Sequence, residues 1–306
     1  MRIAVMGSGG VGGFVGGRLA HAGCDVRFVA RGEHLKVMRA NGLVIERDGQ
    51  DAIRIPNVRA AEDPALLGPV DLVIIAVKLR DTEAAAAAVR PLVTPATAVL
   101  SLQNGVTKDD ILRREFGAQA VVGGVTYVAT RIARPGVIGQ TGAVQRVVIG
   151  EYDGRPSPRV QSLHAWLTRA GIDAAISDDI RRTLWEKFVF LVGLSSTTAT
   201  MRVRLGAILG NTQTRAFLLD LMREAVAVGR ALGVALPSDY AEQRLAFAAT
   251  MPQDMTSSLH HDLDAGRPLE IEWLAGAVAT LGRAHAIPTP LCRAVWDILA
   301  LHAAGR

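Results

Sequence analysis

The chain opens MRIAVMGSGGVGG (residues 1–13), a short apolar run followed by five glycines within seven positions. Arg2 to Met6 reads as a buried strand and Val11 to Ala22 as a helix, so the glycines sit at a strand-to-helix turn. Gly7-Ser8-Gly9-Gly10-Val11-Gly12 fits the pattern G-x-G-x-x-G. In that pattern the first glycine permits a tight turn. The second lets the backbone approach a pyrophosphate, and the third packs the helix against the strand. Free amides at the helix start then face the anion. A bare match means little in a chain with 31 glycines; the strand before it and the helix after it give it weight. The reading is a dinucleotide cradle formed by Gly7, Ser8, Gly9, Gly10, Val11 and Gly12, rather than a flexible turn.

The second strand, Val26 to Ala30, runs into Arg31, with Glu33 two positions later. NAD sites usually carry an acid at this strand end to bond the ribose 2′-hydroxyl, whereas a cation suits a 2′-phosphate. Arg31 therefore favours NADP, although a solvated arginine is the plain alternative and Glu33 leaves NAD open. Lys78 follows the apolar run DLVIIAV (71–77), again at a strand's carboxyl end where such sheets bind nucleotides. Asn104, in SLQNGV (101–106), follows a further strand and either reaches a ligand or simply makes an Asn-Gly turn.

Strand-like and helix-like segments alternate through the first half: helix at Thr82 to Val89, strand at Ala98 to Leu102. This rhythm predicts a parallel sheet with helices on its faces. Two short strands flank Asp48-Gly49 between Leu43 and Ile55, a hairpin signal. Val121 to Ile149 is strand-rich, punctuated at Pro135-Gly136 and Thr141-Gly142, and is expected to form the far edge of the first domain. A helix is expected over Pro158 to Ala170. Beyond about Asp178 helical spacing prevails at Leu184 to Leu194, Thr212 to Leu232, Tyr240 to Ala249, Leu269 to His285 and Pro290 to Ala303. The expected fold is an α/β Rossmann-type domain over 1–175 followed by an all-α domain over 176–306.

Composition excludes several classes. The 34 basic residues exceed the 29 acidic ones by only five, with no basic run interleaved with aromatics, so nucleic acid is not expected as a partner. Cys24 and Cys292 are far apart and lack metal-ligand spacing, so neither a disulfide framework nor a metal site is expected and a reducing cytoplasm fits. No signal peptide or membrane-spanning segment is expected. The sequence is silent on oligomeric state, and a homodimer is left open. Thirty of the basic residues are Arg; the four lysines are Lys36, Lys78, Lys108 and Lys187. An ammonium, unlike a guanidinium, can release its proton at accessible pH.

Two segments of the helical half carry candidate chemistry. WEKFVFLV (185–192) sets Lys187 in an apolar helix, with Leu191 and Ser195 on the same face. Desolvation suits such a lysine to proton donation, while snorkelling to solvent is the plain alternative. In PLEIEWLAGAVATL (268–281), Ile271, Leu274, Ala275, Val278 and Leu281 form one apolar stripe. Glu270 and Glu272 fall in that helix's first turn, where the dipole stabilises a carboxylate whether or not it acts.

The glycine loop, Lys78, SLQNGV, WEKF, TSSLHHDLDAGRPLEIEWLAG (256–276) and Ile287-Pro288-Thr289-Pro290 together resemble the ketopantoate reductase (2-dehydropantoate 2-reductase) family, in order and over nearly the whole chain. The resemblance implies reduction of 2-dehydropantoate to pantoate with NADPH, on the route to pantothenate, by a Rossmann domain and a helical domain with a cleft between them. It implies Lys187 as the general acid, Glu270 as the active-site glutamate, Ser258 as a substrate contact, Asn104 as a cleft asparagine that reaches substrate or cofactor, and Arg31 and Lys78 as holders of the 2′-phosphate. Three positions depart from the family's asparagines: Leu191, one turn after the lysine and on the substrate side, Leu205, and Met255. Fewer amides mean fewer hydrogen bonds for a small hydroxylated acid. A bulkier or less polar 2-oxo acid is the alternative substrate, and a nucleotide-binding sensor without catalysis is the alternative class.

Overall fold

The computed structural model describes residues 1–306. They divide into two units, residues 1–104 with 108–180, and residues 105–107 with 181–306.

The first unit is built on a ten-stranded mixed sheet. Its strands are β1 (Arg2–Met6), β2 (Asp25–Val29), β3 (Leu43–Arg47), β4 (Gln50–Ile55), β5 (Arg59–Ala61), β6 (Leu72–Ile75), β7 (Ala98–Ser101), β8 (Val121–Arg134), β9 (Val137–Gly150) and β10 (Asp173–Ile176). The main path runs β4-β3-β9-β8-β7-β6-β1-β2-β5, with β10 added to β9. From β5 to β8 all neighbours are parallel, in register Val5↔Phe28, Val5↔Ile74 and Ile74↔Leu100. Strands buried on both faces need continuous apolar runs, and Leu72–Ile75 (LVII) is buried throughout. From β1 the chain proceeds to β2 on one side and later returns to β6 on the other, so the carboxyl end of β1 is the switch point where such sheets bind ligands.

Helices α1 (Gly10–His21), α2 (Gly32–Asn41), α3 (Thr82–Val89), α4 (Lys108–Phe116) and α5 (Pro158–Arg169) complete this unit. Close packing of α1 on the sheet depends on its glycines: a Cβ at Gly16 would lie 2.7 Å from Phe28, and one at Gly17 2.9 Å from Ile45. The alternating α/β reading of this half is met. The hairpin at Asp48-Gly49 forms as expected. Residues 121–149 form the long strands β8 and β9 inside the sheet. The hairpin β3–β4 docks parallel on β9 and takes the edge position. Pro135-Gly136 makes the β8–β9 turn, whereas Thr141-Gly142 lies inside β9 at a register shift opposite Val128 and Ala129. Helices α2 and α4 carry too few apolar positions to show as stripes; α2 buries only Leu35 and Met38.

The second unit is mainly helical: α6 (Ile180–Met201, whose first residue belongs to the first unit), α7 (Leu205–Gly210), α8 (Thr212–Ala231), α9 (Tyr240–Ala248), α10 (Ser258–Asp264), α11 (Ala275–Ala284) and α12 (Pro290–Leu299). Its core gathers Phe188, Val192, Leu205, Leu221, Met222, Val278 and Val295 among others. The amides of Leu291 and Cys292 at the start of α12 each donate to the Glu224 carboxylate at 2.8 Å, which satisfies two orphan donors with one side chain. The helix expected over 269–285 is corrected. Leu274 (φ −109°, ψ −101°) breaks it into a short 3-10 turn, Ile271–Trp273, and the later α11. Glu270 therefore precedes the 3-10 turn instead of lying in a helix's first turn. Ile271, Leu274, Ala275 and Val278 are buried all the same, because the break leaves the apolar face directed at the core. No helix is long and apolar enough to cross a membrane.

Candidate active site

The glycine loop leaves β1 at the switch point and is held on every side but one. Gly7 has φ +97°, and a Cβ there would lie 2.8 Å from Val77. At Gly12 a Cβ would sit 2.0 Å from the Gly7 carbonyl oxygen, so helix and turn meet with no room for a methyl group. Gly10 packs against Thr130 of β8, where a Cβ would lie 2.5 Å from the carbonyl oxygen. The Ser8 hydroxyl and amide both donate to the Val29 carbonyl, at 2.9 and 3.2 Å, which explains why Ser8 is buried. Gly9 is the exception, since a Cβ there would meet nothing within 4 Å. It is also the N-cap of α1, which has no side-chain cap and no acid in its first turn. An open face at an uncapped helix start suits a phosphate, so the residues present fit a dinucleotide.

Arg31 is exposed beyond β2 and is the N-cap of α2. Glu33 forms an ion pair with Lys36 at 3.4 Å. His34 joins the loop from α2: its Nε2 lies 2.9 Å from the Ser8 carbonyl, and its Nδ1 accepts from the Gly136 amide at 3.0 Å. Burial holds its proton affinity below the usual imidazole value, against the opposing pull of the Ser8 carbonyl. No pattern in the sequence singled this histidine out.

Lys78 and Asn104 stand half-buried past β6 and β7. Gln103 ties these two strand ends together: its amide donates to the Val77 carbonyl at 3.0 Å and to Thr82 Oγ1 at 2.8 Å, and its Oε1 accepts from Ser101 Oγ at 2.9 Å. Lys108 lies beneath, fully buried, with Nζ donating to the Ser101 carbonyl at 2.8 Å and to the Asp109 carboxylate at 3.1 Å. Tyr152 Oη donates to Asp109 at 2.6 Å, and the Arg113 guanidinium stacks over the Tyr152 ring at 3.6 Å. Burial lowers the proton affinity of Lys108 while Asp109 opposes that shift; burial and then Asp109 push the Tyr152 phenol far up. Sequence reasoning missed this group, although the scarcity of lysine was a usable pointer to Lys108.

In the helical unit, Lys187 and Leu191 are half-buried one turn apart on α6. Trp185 and Phe188 on either side of Lys187 are buried edge-to-face at 5.4 Å. Glu186, its neighbour, is engaged by Arg182 at 2.8 Å. Two turns beyond Lys187, the buried Ser195 hydroxyl has no hydrogen-bond partner. Ser257 is the N-cap of α10, accepting from the His260 amide at 3.1 Å, and its hydroxyl also meets Thr198 Oγ1 of α6 at 2.9 Å. That bond fixes the start of α10, with exposed Ser258 as its first residue, to the helix that carries Lys187. Glu270 is half-buried. Leu205 is fully buried in the core, so it lines no solvent-accessible pocket. Met255 is half-buried against the same core. No cluster of three or more His, Cys, Asp or Glu side chains is arranged to hold a metal ion.

The fold and the loop define a two-unit protein with a Rossmann-type, dinucleotide-binding first unit. Residues 3–154 match the family described as ketopantoate reductase PanE/ApbA, and residues 179–303 match its C-terminal counterpart. The chain belongs to this family of oxidoreductases. It is similar to the 2-dehydropantoate 2-reductase of Mesorhizobium japonicum, 34% identical over 316 residues, covering 96% of this chain and 95% of that protein. The 2-dehydropantoate 2-reductase of Halobacterium salinarum is 33% identical over 303 residues, covering 98% of each. A PanE/ApbA family ketopantoate reductase from Ralstonia eutropha JMP134, solved by crystallography, superposes with a TM-score of 0.90 at 35% identity, over 99% of this chain and 98% of that one.

Proposed function

We propose that this chain reduces a 2-oxo acid to the 2-hydroxy acid with NADPH, and that ketopantoate is the acid, giving pantoate. The observation that carries the reading is Lys187, the sole lysine of the helical unit, retained half-buried in an apolar helix within a family member. The bound cofactor supplies the hydride. Lys187 meets the negative charge that develops on the substrate oxygen and donates the proton that makes it a hydroxyl. Glu270 holds a substrate hydroxyl and tunes the lysine, while Ser258 and Asn104 orient the acid. Leu191 stands on the substrate side as an apolar wall. Arg31 and Lys78 take the 2′-phosphate, a role supported by the lack of an acid at the end of β2 and by the commitment of Glu33 to Lys36. The cytoplasm is the proposed compartment, supported by two buried free cysteines.

A second reading, a less polar 2-oxo acid, is favoured by the half-buried Leu191 and Met255, which stand where the resemblance leads one to expect amides near the substrate. The test is NADPH consumption across a panel of 2-oxo acids that includes ketopantoate. The first reading expects ketopantoate to have the largest kcat/KM. A larger value for a bulkier apolar acid selects the second, and cofactor binding without turnover of any acid makes the chain a sensor.

A further inference from the structure

The hydrogen bonds around His34 determine its protonation state. The Gly136 amide can only donate, so Nδ1 is the acceptor. The remaining proton of the neutral ring is on Nε2, which therefore donates to the Ser8 carbonyl at 2.9 Å. A trans peptide is planar and holds its C=O and N–H in opposite directions. Directing the Ser8 carbonyl at His34 thus aims the Gly9 N–H the other way. Gly9 is the loop position whose surroundings are open, and it caps α1.

The far side of the imidazole is equally well anchored. Gly136 occupies the second corner of a Pro135-Gly136 turn at φ +75°, the conformation a type II turn requires there. Its carbonyl accepts from the Val44 amide at 3.0 Å, and a Cβ on it would lie 2.5 Å from Val37 of α2. The ring is therefore a strut between this turn and the Ser8–Gly9 peptide of the loop.

We infer that His34 is a positioning residue for cofactor binding, which keeps the Ser8–Gly9 peptide oriented so that the Gly9 N–H, rather than the Ser8 carbonyl, faces the pyrophosphate. The inference rests on the reading of this loop as a dinucleotide site. Without the strut the peptide can flip and present a carbonyl dipole to the phosphates.

The experiment is direct binding of NADPH and of NADH, followed by cofactor fluorescence, to the wild type and to His34→Gln, His34→Asn and His34→Ala. Glutamine carries an amide near the Nε2 position and can bond the Ser8 carbonyl; asparagine reaches only the Nδ1 position. His34→Asn and His34→Ala are expected to weaken both cofactors about tenfold, the worth of one lost charge-facing donor. His34→Gln is expected to stay within about threefold of wild type, and KM for NADPH is expected to rise in the weak binders with kcat retained. If His34→Ala fails to fold, the comparison of Gln with Asn decides. Equal affinity of the Gln and Asn variants overturns the inference. So does a loss confined to NADPH, which would make His34 a contact of the 2′-phosphate. If wild type binds neither cofactor, the dinucleotide reading itself falls.

Discussion

The amide of Leu205 donates to the carbonyl of Met255 at 2.9 Å, so two of the three positions where the resemblance leads one to expect asparagine are joined through the backbone. The amide of Gly206 makes the same bond to Gln253, and together the pair holds the start of α7 against residues 253–255. Leu205 is fully buried, whereas Leu191 is half-buried on the helix that carries Lys187. Restoring the amides should therefore have unequal effects. Leu205→Asn is expected to cost about 2–4 kcal/mol in urea denaturation, because it places a polar group in the core without a partner. Leu191→Asn is expected to cost less than about 1 kcal/mol and to raise kcat/KM for ketopantoate about tenfold, the worth of one added substrate hydrogen bond. Steady-state kinetics beside the denaturation curves check both.

Gly9 and Gly12 separate folding from binding. At Gly12 an alanine methyl would lie 2.0 Å from a backbone oxygen that cannot move aside, so Gly12→Ala is expected to lose both stability and cofactor binding. At Gly9 nothing lies within 4 Å and φ is −73°, so Gly9→Ala should fold with a loss below about 1 kcal/mol. Its methyl would nevertheless occupy the approach to the phosphates, and a loss of NADPH affinity of tenfold or more is expected. Thermal unfolding with and without NADPH distinguishes the two: Gly9→Ala should melt normally alone and gain little from cofactor.

Lys108 and Asp109 form a buried ion pair whose members differ in replaceability. Lys108→Met leaves the Asp109 carboxylate without its counter-charge and the Ser101 carbonyl without a donor, at an expected cost of about 3–5 kcal/mol. Lys108→Met combined with Asp109→Leu removes both charges and should cost less than the single change. A double variant less stable than Lys108→Met alone would show that Asp109 acts mainly through Tyr152.

The strut predicts a pH dependence as well. His34 in the folded protein binds its proton less readily than in the unfolded chain, chiefly because it is buried. Unfolding therefore takes up a proton below about pH 6.5, where free imidazole titrates. The contribution is complete above that pH and is lost as the pH falls through the lower folded value. The charges on neighbouring elements are engaged elsewhere, Glu33 with Lys36 and Arg134 with Glu46. Denaturation midpoints between pH 7 and 5 should fall in wild type and fall less in His34→Gln. Equal slopes in the two proteins would contradict the assignment.

Much of this could be read from residue order. Glycines after an apolar strand announced the loop, and LVII announced a strand buried on both faces, because these features are local. Position in the sheet was not local. Nothing in the composition of residues 121–149 reveals that β3 and β4, some 80 positions earlier, dock outside β9. The break at Leu274 was equally hidden, because a 3-10 turn and an α-helix bury nearly the same apolar stripe. Of the candidate site residues, the glycines, Arg31 and Lys78 stood out by type and position, whereas Asn104, Lys187 and Glu270 were decided only by the resemblance to the family. His34, Gln103 and Lys108 did not stand out, because each acts through partners that folding brings near: Ser8 and Gly136, Val77 and Thr82, and the Ser101 carbonyl.

The most direct test is single-turnover oxidation of bound NADPH by ketopantoate in wild type and Lys187→Ala, with NADPH affinity measured on the same samples. The proposed role predicts rapid turnover in wild type, a loss of about 100-fold to 10,000-fold in the variant, and unchanged cofactor affinity. A Lys187→Ala protein that oxidises NADPH at the wild-type rate would contradict it.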